Sequence, residues 1–301
     1  LSRLSSLSLG HNSFEGSIPA GIGLLGDLTY LDLSFTSFSP GSIPSSYYQL
    51  YNLSGLFLPE VNLEGSISSD IGGLSKLKTL VLSGNKLTGT LPPELGALLM
   101  LELMFIADNK LKGNIPSDLF SHEENVHFQA IDLSSNALSG SLPESLFLLR
   151  TLTSVSLGVN CFRGEIPKTL CTATSLQVLL LDGLTSGAGC AQNIPFSESV
   201  FIRFMEGIIL STFGCVLCSL VQFFFDTGTL PSCVLNLANL ETFHFSGNGI
   251  EGEIPEYAQA SGKLKDLSLS YNRLTGTLPF TVQHAPLDTL DVSYNTIQGS
   301  I

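Results

Sequence analysis

The chain has 301 residues, with 26 aspartate and glutamate residues against 13 lysine and arginine residues, and a formal net charge of −13. This charge disfavours binding to nucleic acid and to anionic membrane surfaces, because both would repel the chain. It also disfavours a pectin-like polyanion as a direct ligand. Charged residues make up only 13% of the chain, so serine, glycine and asparagine supply much of the polar surface.

A short repeated pattern runs along the chain and is clearest in residues 77–96, LKTLVLSGNKLTGTLPPELG. Leu80 and Leu82 alternate with other residues, which predicts a short strand with one buried face. Asn85 follows at a predicted turn, and Gly89 permits backbone conformations that a β-carbon disfavours. One such unit cannot bury its own leucines, so it requires a copy on each side.

From the N-terminus onwards, the frame recurs at intervals of about 24 residues. Its second leucine-type position is occupied in turn by Leu7, Leu31, Leu56, Leu80, Met104, Ile131, Val155, Leu179, Phe243, Leu267 and Leu290. A degenerate copy at Met205, Ile208 and Leu210 fits the long interval before Phe243. We therefore predict a single domain, 1–301, of about twelve repeats. Because Leu1 and Ile301 fall inside repeats, we expect it to be truncated at both ends.

Two further sets of equivalent positions in successive repeats, which we call columns, make the pattern specific. The turn asparagine recurs as Asn12, Asn85, Asn109, Asn136, Asn160, Asn248, Asn272 and Asn295, and is replaced by Thr36, Val61, Leu184 and Phe213. A buried amide at each turn is expected to bond backbone groups of neighbouring coils. A Gly-x-Ile/Leu-Pro column recurs at 16–19, 41–44, 89–92, 113–116, 140–143, 164–167, 228–231, 252–255 and 276–279.

The pattern LxxLxLxxNxLxGxIP resembles the plant-type leucine-rich repeat of receptor-like kinases, receptor-like proteins and polygalacturonase-inhibiting proteins. The resemblance covers the chain apart from about 183–193 and 214–227, which we interpret as insertions or degenerate segments. It implies an α/β leucine-rich repeat solenoid, a right-handed superhelix with a concave parallel β-sheet and short 3-10 or helical segments on the convex side. It also implies a location on the extracellular side of the plasma membrane or in the secreted fraction.

The resemblance implies a non-catalytic recognition module that binds a peptide or protein ligand on its concave face, as part of a receptor-like kinase or receptor-like protein. A co-receptor is a candidate second partner, and any kinase domain would lie outside this segment. Two alternatives stay open: a secreted inhibitor of a pathogen cell-wall hydrolase, and a structural or ice-binding solenoid. The last requires a flat, regular threonine array, and the convex columns are too mixed for one.

The candidate binding surface is found by columns, because alternate strand residues point away from the core. Phe57, Val81 and Phe105 occupy one such column in three successive repeats, with further apolar residues beside them and acidic residues at the border. An exposed apolar stripe with a polar rim is typical of an interaction site. The alternative is ordinary variation at unselected strand positions. The predicted ligand-binding residues are Tyr30, Phe35, Phe57, Glu60, Val81, Leu103, Phe105 and Asp108.

Motifs of catalysis and of metal or cofactor binding are weak. Residues 21–26 match GxGxxG, but they follow Pro19 and do not open a helix after a strand. His122 and His127 resemble a zinc-binding pair, but a spacing of five residues separates their rings on a helix. We therefore predict no enzymatic activity, no cofactor and no metal.

The six cysteines and one sequon bear on the compartment. Cys161 and Cys171 lie in one repeat and either pair or remain free and buried, while Cys215 and Cys218 form a CxxC whose role is left open between disulfide, redox pair and half a zinc site. Asn52 is the predicted glycosylation site.

The apolar run 207–225 is long enough to suggest a membrane span. Repeats continue on both sides of it, so we expect a degenerate ninth repeat at 205–213 followed by an insertion, without membrane insertion. The insertion is left open between a cover for the solenoid, a partner contact and a translated intron.

Overall fold

The protein is described by a computed structural model covering residues 3–120, 125–184, 190, 228–256 and 262–299. Its main feature is a parallel sheet of eleven strands, each three residues long. We number the coils 1 to 11 by their strands, which are Ser6–Ser8, Tyr30–Asp32, Gly55–Phe57, Thr79–Val81, Leu103–Phe105, Ala130–Asp132, Ser154–Ser156, Val178–Leu180, Thr242–His244, Asp266–Ser268 and Thr289–Asp291.

The sheet follows the predicted repeat frame. The leucine-type residue at the centre of each strand pairs with its counterpart in the next coil, as in Leu31 with Leu56 and Leu56 with Leu80. These three side chains are fully buried. Because each coil leaves its leucines on one side of a short strand, burial depends on the neighbouring coils, and one continuous core runs along the solenoid.

Among the described residues, short helical segments lie where the chain returns from one strand to the next. They are 3-10 helices at Ala20–Leu24, Ser45–Gln49, Ser69–Gly73, Pro93–Ala97, Ser117–Phe120, Glu144–Leu148, Lys168–Thr172 and Val234–Asn236, and one α-helix at Phe280–Gln283. A proline precedes most of them, consistent with its fixed φ and missing N–H. Where coil 3 lacks that proline, the Ser68 hydroxyl accepts a hydrogen bond from the Asp70 N–H at 3.2 Å.

Three smaller parallel sheets follow the turns. One joins Lys112–Asn114, Ala137–Gly140 and Cys161–Phe162, a second joins Glu64–Ser66 with Lys86–Thr88, and a third joins Glu251–Glu253 with Arg273–Thr275. Most glycines of the Gly-x-Ile-Pro column, though not Gly41 or Gly228, have positive φ, for example Gly89 at 80° and Gly113 at 79°. Backbone conformation therefore explains most of the glycine column.

The turn asparagines link successive coils, as predicted. The Asn160 amide nitrogen donates to the carbonyl of Leu133 in the preceding coil at 2.9 Å, and its oxygen accepts from the Leu138 N–H at 3.0 Å. In coil 8, where leucine replaces the asparagine, the Phe162 N–H of the preceding coil donates to the backbone carbonyl of Leu184 at 2.8 Å. A backbone oxygen thus accepts the bond that the side-chain oxygen of Asn160 accepts from Leu138.

The main sheet continues directly from coil 8 to coil 9 across a long interval of sequence. Val178 pairs with Thr242, and Leu180 with His244. The predicted ninth repeat falls at 205–213, inside this interval. Residues 191–227, which include that segment and the apolar run, lie outside the described residues.

Two disulfides link coil 7 to residues of the interval between coils 8 and 9. Cys161 pairs with Cys190, and Cys171 pairs with Cys233. The suggested pairing of Cys161 with Cys171 is therefore wrong: Cys161 lies at the turn and Cys171 in the helical segment, and each has a partner from beyond coil 7. Cys215 and Cys218 lie outside the described residues.

Two other sequence motifs have structural outcomes. The GxGxxG match lies largely in the 3-10 helix Ala20–Leu24, away from any strand-to-helix turn. His122 lies outside the described residues. Within the described ranges, no group of three or more histidine, cysteine and acidic side chains is arranged to hold a metal ion. In the same ranges, no helix is long and apolar enough to cross a membrane.

Candidate functional site

The open side of the main sheet carries the candidate site. In coil 2 the central Leu31 is fully buried, while Tyr30 and Asp32 on either side are partly exposed. Ser34 and Phe35 follow on the same side as the chain turns. We call these four positions in each coil, namely the first and third strand residues and the second and third residues after the strand, the strand face.

The third strand residues form a continuous line that we call the central column. Register pairs Asp32 with Phe57, Phe57 with Val81, Val81 with Phe105, and Phe105 with Asp132. All five side chains are partly exposed. Neighbouring strands are about 4.8 Å apart, so Phe57, Val81 and Phe105 form an apolar stripe three coils wide.

Tyr30 extends the stripe at its N-terminal end. Its ring centroid lies 5.1 Å from that of Phe57, with the rings tilted at 40°. A β-carbon placed on Gly55 would lie 2.8 Å from Cε2 of Phe57 and 3.3 Å from Cδ2 of Tyr30. The two rings therefore lean into space that exists because position 55 is glycine. Gly55 was not predicted to contribute, and its place in a strand was the available signal.

Leu103 extends the stripe at its other end. It is the first strand residue of coil 5, partly exposed, and pairs with Thr79 and Ala130. Leu103 and Phe105 thus lie on the same side of one strand, because alternate residues share a face. The structure brings the predicted apolar residues of coils 2 to 5 together.

The third residues after the strands form a column along one edge of the strand face. Phe35, 44% exposed, stacks on His11 with ring centroids 4.5 Å apart. Glu60 and Asp108 occupy the same column and are exposed. Phe35, Glu60 and Asp108 all have φ between 51° and 53°, a left-handed conformation that L-residues rarely adopt. His11 was not predicted to contribute, because nothing in the sequence distinguishes it except its position in this column.

Two aspartates in the central column each accept hydrogen bonds from the serine two residues later. The Asp132 Oδ1 accepts hydrogen bonds from the Ser134 N–H at 3.0 Å and the Ser134 hydroxyl at 2.6 Å. Asp32 is held in the same way by the Ser34 N–H at 2.9 Å and the Ser34 hydroxyl. Both carboxylates are thereby oriented by an Asp-x-Ser sequence.

Electrostatics at the edge of the stripe affect one tyrosine. Burial, and secondarily the nearby Asp32 carboxylate, raise the pKa of Tyr30 above its ordinary value of 10.0. Tyr30 is therefore a neutral hydroxyl donor at physiological pH.

A histidine between two carboxylates lies on the strand face farther along the solenoid. The His244 Nε2 is 2.8 Å from Oδ2 of Asp266, and its Nδ1 is 3.5 Å from Oδ2 of Asp182. Burial raises the pKa of the Asp182 carboxyl. This cluster joins coils 8, 9 and 10, and it was not predicted, because its three members lie far apart in the sequence.

The predicted glycosylation site has engaged side-chain atoms. The Asn52 amide nitrogen donates to the Gly26 carbonyl at 3.0 Å, and its oxygen accepts from the Lys76 ammonium at 2.8 Å. A glycan attached to that nitrogen would replace one of its two hydrogens and leave one N–H as a donor. Glycosylation of Asn52 stays a prediction.

The comparisons with known proteins agree with this geometry. The Leucine Rich Repeat family profile matches residues 3–25, 76–98, 127–149, 239–259 and 263–285. Receptor-like protein 41 of Arabidopsis thaliana is 35% identical over 277 residues, an alignment that covers 92% of this chain and 29% of that protein.

Two solved structures share the architecture. The plant peptide hormone receptor RGFR1 in complex with RGF2 has a TM-score of 0.70 at 26% identity, covering 100% of this chain and 49% of that chain. A plant ice-binding protein has a TM-score of 0.61 at 23% identity, covering 95% of this chain and 71% of that chain; this likeness shows the fold alone.

The chain spans less than a third of the receptor-like relative and about half of the peptide hormone receptor. The two disulfides fit an oxidising compartment, which is where plant receptor ectodomains reside. The chain contains leucine-rich repeats, and over this segment it is similar to plant receptor-like proteins and to plant receptor ectodomains.

Proposed function

We propose that the chain is the ligand-recognition part of a receptor-like protein or receptor-like kinase, located on the extracellular side of the plasma membrane or secreted. It binds an extended peptide or protein segment across the strand face of coils 2 to 5. The contacts come from Tyr30, Phe35, Phe57, Glu60, Val81, Leu103, Phe105 and Asp108. The observation that carries this proposal is the in-register apolar stripe of Phe57, Val81 and Phe105.

The energetics favour a ligand at this stripe. Burying a phenylalanine or valine side chain stabilises a complex by about 1.5–3 kcal/mol relative to leaving it exposed. Phe57, Val81 and Phe105 are only partly buried by the chain itself, so each retains apolar area for a ligand to cover. A few well-placed aromatic and apolar contacts commonly provide most of the binding energy.

The peptide receptor comparison supports the class of ligand. RGFR1 was solved as a complex with RGF2, described as a peptide hormone receptor with its ligand. A solenoid with the same architecture is suited to an extended ligand, because its strand face offers a row of side chains at regular spacing. A co-receptor is a candidate further partner.

Two other functions differ from this proposal. An ice-binding surface requires a regular array of threonines, whereas the first strand residues of coils 2 to 5 are Tyr30, Gly55, Thr79 and Leu103. An inhibitor of a secreted hydrolase would use the same stripe on a folded protein surface. That alternative differs from the proposal in its ligand, which would be a folded enzyme instead of an extended segment.

A photo-crosslinking experiment tests the location of the site. Peptides are selected on the immobilised chain from a random display library, and the tightest is synthesised with biotin. A photoreactive benzoyl-phenylalanine replaces Val81 in one variant and Leu180, in the same column at coil 8, in the control. We expect efficient crosslinking from position 81 and little from position 180. Crosslinking from position 180 alone would contradict the proposed site.

A further inference from the structure

The strand face carries a one-sided charge. Its four columns contain no lysine or arginine in any of the eleven coils. The acidic residues on it are Asp32, Glu60, Asp108, Asp132, Asp182, Asp266 and Asp291. A surface with one sign of charge attracts ligands of the opposite sign and repels those of its own.

The central column places two of these carboxylates at the ends of the apolar stripe. It reads Asp32, Phe57, Val81, Phe105 and Asp132 in five consecutive, directly paired strands. Four strand spacings of about 4.8 Å separate the two aspartates by about 19 Å. The acids and the apolar residues therefore form one ordered row.

Both carboxylates are oriented before any ligand arrives. Ser134 binds Oδ1 of Asp132 through its N–H and hydroxyl, and Oδ2 has no hydrogen-bond or ion-pair partner among the described residues. Ser34 holds Oδ1 of Asp32, and the Ser8 hydroxyl donates weakly to Oδ2 at 3.2 Å. Pre-oriented carboxylates have less side-chain entropy to lose when a ligand binds.

We propose that the occupant of the stripe is a cationic extended peptide segment with two basic side chains six residues apart and apolar side chains at the second and fourth positions between them. This inference rests on the proposed function and specifies its ligand. In an extended chain, alternate residues face the same side at about 3.3 Å per residue. Residues six apart are thus separated by about 20 Å, which matches the distance between Asp32 and Asp132.

The charge pattern explains why the row would be selective. A basic residue at each end meets a carboxylate, while leucine or phenylalanine side chains meet Phe57, Val81 and Phe105. Across coils 2 to 6, a ligand that presents its own carboxylates to the strand face meets four acids, Asp32, Glu60, Asp108 and Asp132, and no lysine or arginine. Like charges opposed across an interface are strongly unfavourable, so the face rejects acidic ligands.

Synthetic nonapeptides with blocked ends test the inference at low ionic strength. The test peptide has arginine at its second and eighth positions, leucine at its fourth and sixth, and serine elsewhere. One comparison peptide replaces both arginines by glutamate, and an isomer places the two arginines side by side at one end. Affinity is measured by fluorescence anisotropy. We expect the test peptide to bind at least about tenfold more tightly than the glutamate peptide and more tightly than the isomer, because partly exposed ion pairs each contribute a factor of about two to five.

Matched variants identify the groups responsible. Asp32→Asn combined with Asp132→Asn keeps an oxygen that can accept from Ser34 and Ser134 but removes both charges. The control is Asp291→Asn. Asp291 lies in the same column, five coils beyond Asp132, and also has a serine two residues later. We expect the arginine preference to disappear in the double variant and to persist in the control.

Several results would overturn the inference: no binding of the test peptide, equal binding of the glutamate peptide, or a preference that survives the double variant. The proposed function has its own test in the library selection, which assumes nothing about charge. If selected peptides crosslink at position 81 but are neutral or acidic, the recognition function stands and the cationic ligand is wrong.

Discussion

The side-chain nitrogen of Asn136 donates a hydrogen bond to the carbonyl oxygen of Ile106, thirty residues earlier in the preceding coil, at 3.0 Å. The same nitrogen lies 3.1 Å from the carbonyls of Leu133 and Ser134 within its own turn. The side-chain oxygen accepts from the Leu111 N–H at 3.0 Å. One buried amide thus satisfies backbone groups that the turn removes from the sheet.

Replacement of this amide should destabilise the solenoid. Asn136→Leu leaves buried backbone groups without partners, at an expected cost of about 1–3 kcal/mol in the free energy of unfolding. The measurement is chemical denaturation followed by circular dichroism. Asn114→Leu, at an exposed strand residue of the adjacent small sheet, is the control and should change stability little. Equal stability of the Asn136→Leu variant and the parent would show that this asparagine is not structural.

The repeat fold was largely predictable because its core residues recur at equivalent positions of successive repeats. The centres of all eleven described strands are the predicted leucine-type residues. Between Leu179 and Phe243 the sequence also contains a strand-like pattern at 205–210, while coil 8 pairs directly with coil 9 in the main sheet. Periodicity detects candidate strands but contains no information on which of them pair.

Contacts between distant residues account for what the sequence did not predict. The partners of Cys161 and Cys171 are 29 and 62 residues away, and cysteine spacing alone does not determine such pairings. The columns correctly placed Phe57 beside Val81, and Val81 beside Phe105. They gave no indication that Phe57 leans over Gly55, because side-chain direction follows from local packing rather than from periodicity.

A strained turn residue offers a stabilising substitution. Val159 has φ of 54° and is 41% exposed, and a β-branched residue in this region is unfavourable. Val159→Asn should increase the free energy of unfolding by about 0.5–1 kcal/mol, since asparagine tolerates the left-handed conformation. Val126→Asn, at an exposed position outside this φ region, is the control and should show no comparable gain. A loss of stability in Val159→Asn would contradict the argument.

The disulfide between Cys171 and Cys233 should hold the two sides of the long interval together. It closes 62 residues, and the loss of such a cross-link typically costs about 2–4 kcal/mol through the entropy of the unfolded chain. Cys171→Ala combined with Cys233→Ala should lower the free energy of unfolding by this amount under oxidising conditions. Under a strong reductant the variant and the parent should converge. A difference that persists after reduction would point to side-chain packing instead of the cross-link.

The Asp291 carboxylate predicts a pH-dependent contribution to stability. Hydrogen bonds from Ser293 lower its pKa below the ordinary value of 3.8. A depressed folded-state pKa stabilises the fold above the unfolded pKa, and this stabilisation is lost as pH falls through the folded value. Asp291→Asn should therefore reduce stability near pH 6, by less than about 1 kcal/mol because the group is solvent-accessible.

The effect of Asp291→Asn should vanish in strong acid, where both the parent and the variant are uncharged at this position. Thermal unfolding from about pH 2 to pH 6 provides the comparison. Asp288→Asn, at an exposed aspartate three residues earlier, is the control. An Asp291→Asn effect that grows towards low pH would have the wrong sign for a depressed pKa.

The central claim is that Phe57, Val81 and Phe105 form the ligand-binding surface, and the most direct test is the affinity of a library-selected peptide for the variant Phe57→Ser combined with Phe105→Ser. We predict at least about a hundredfold weaker binding, since each phenylalanine contributes roughly 1.5–3 kcal/mol when buried. Folding should change little, because both side chains lie away from the leucine core. Leu180→Ser, in the same column three coils beyond Phe105, should bind like the parent. Unchanged affinity in the double variant, with weaker binding by Leu180→Ser, would contradict the claim and move the site towards coil 8.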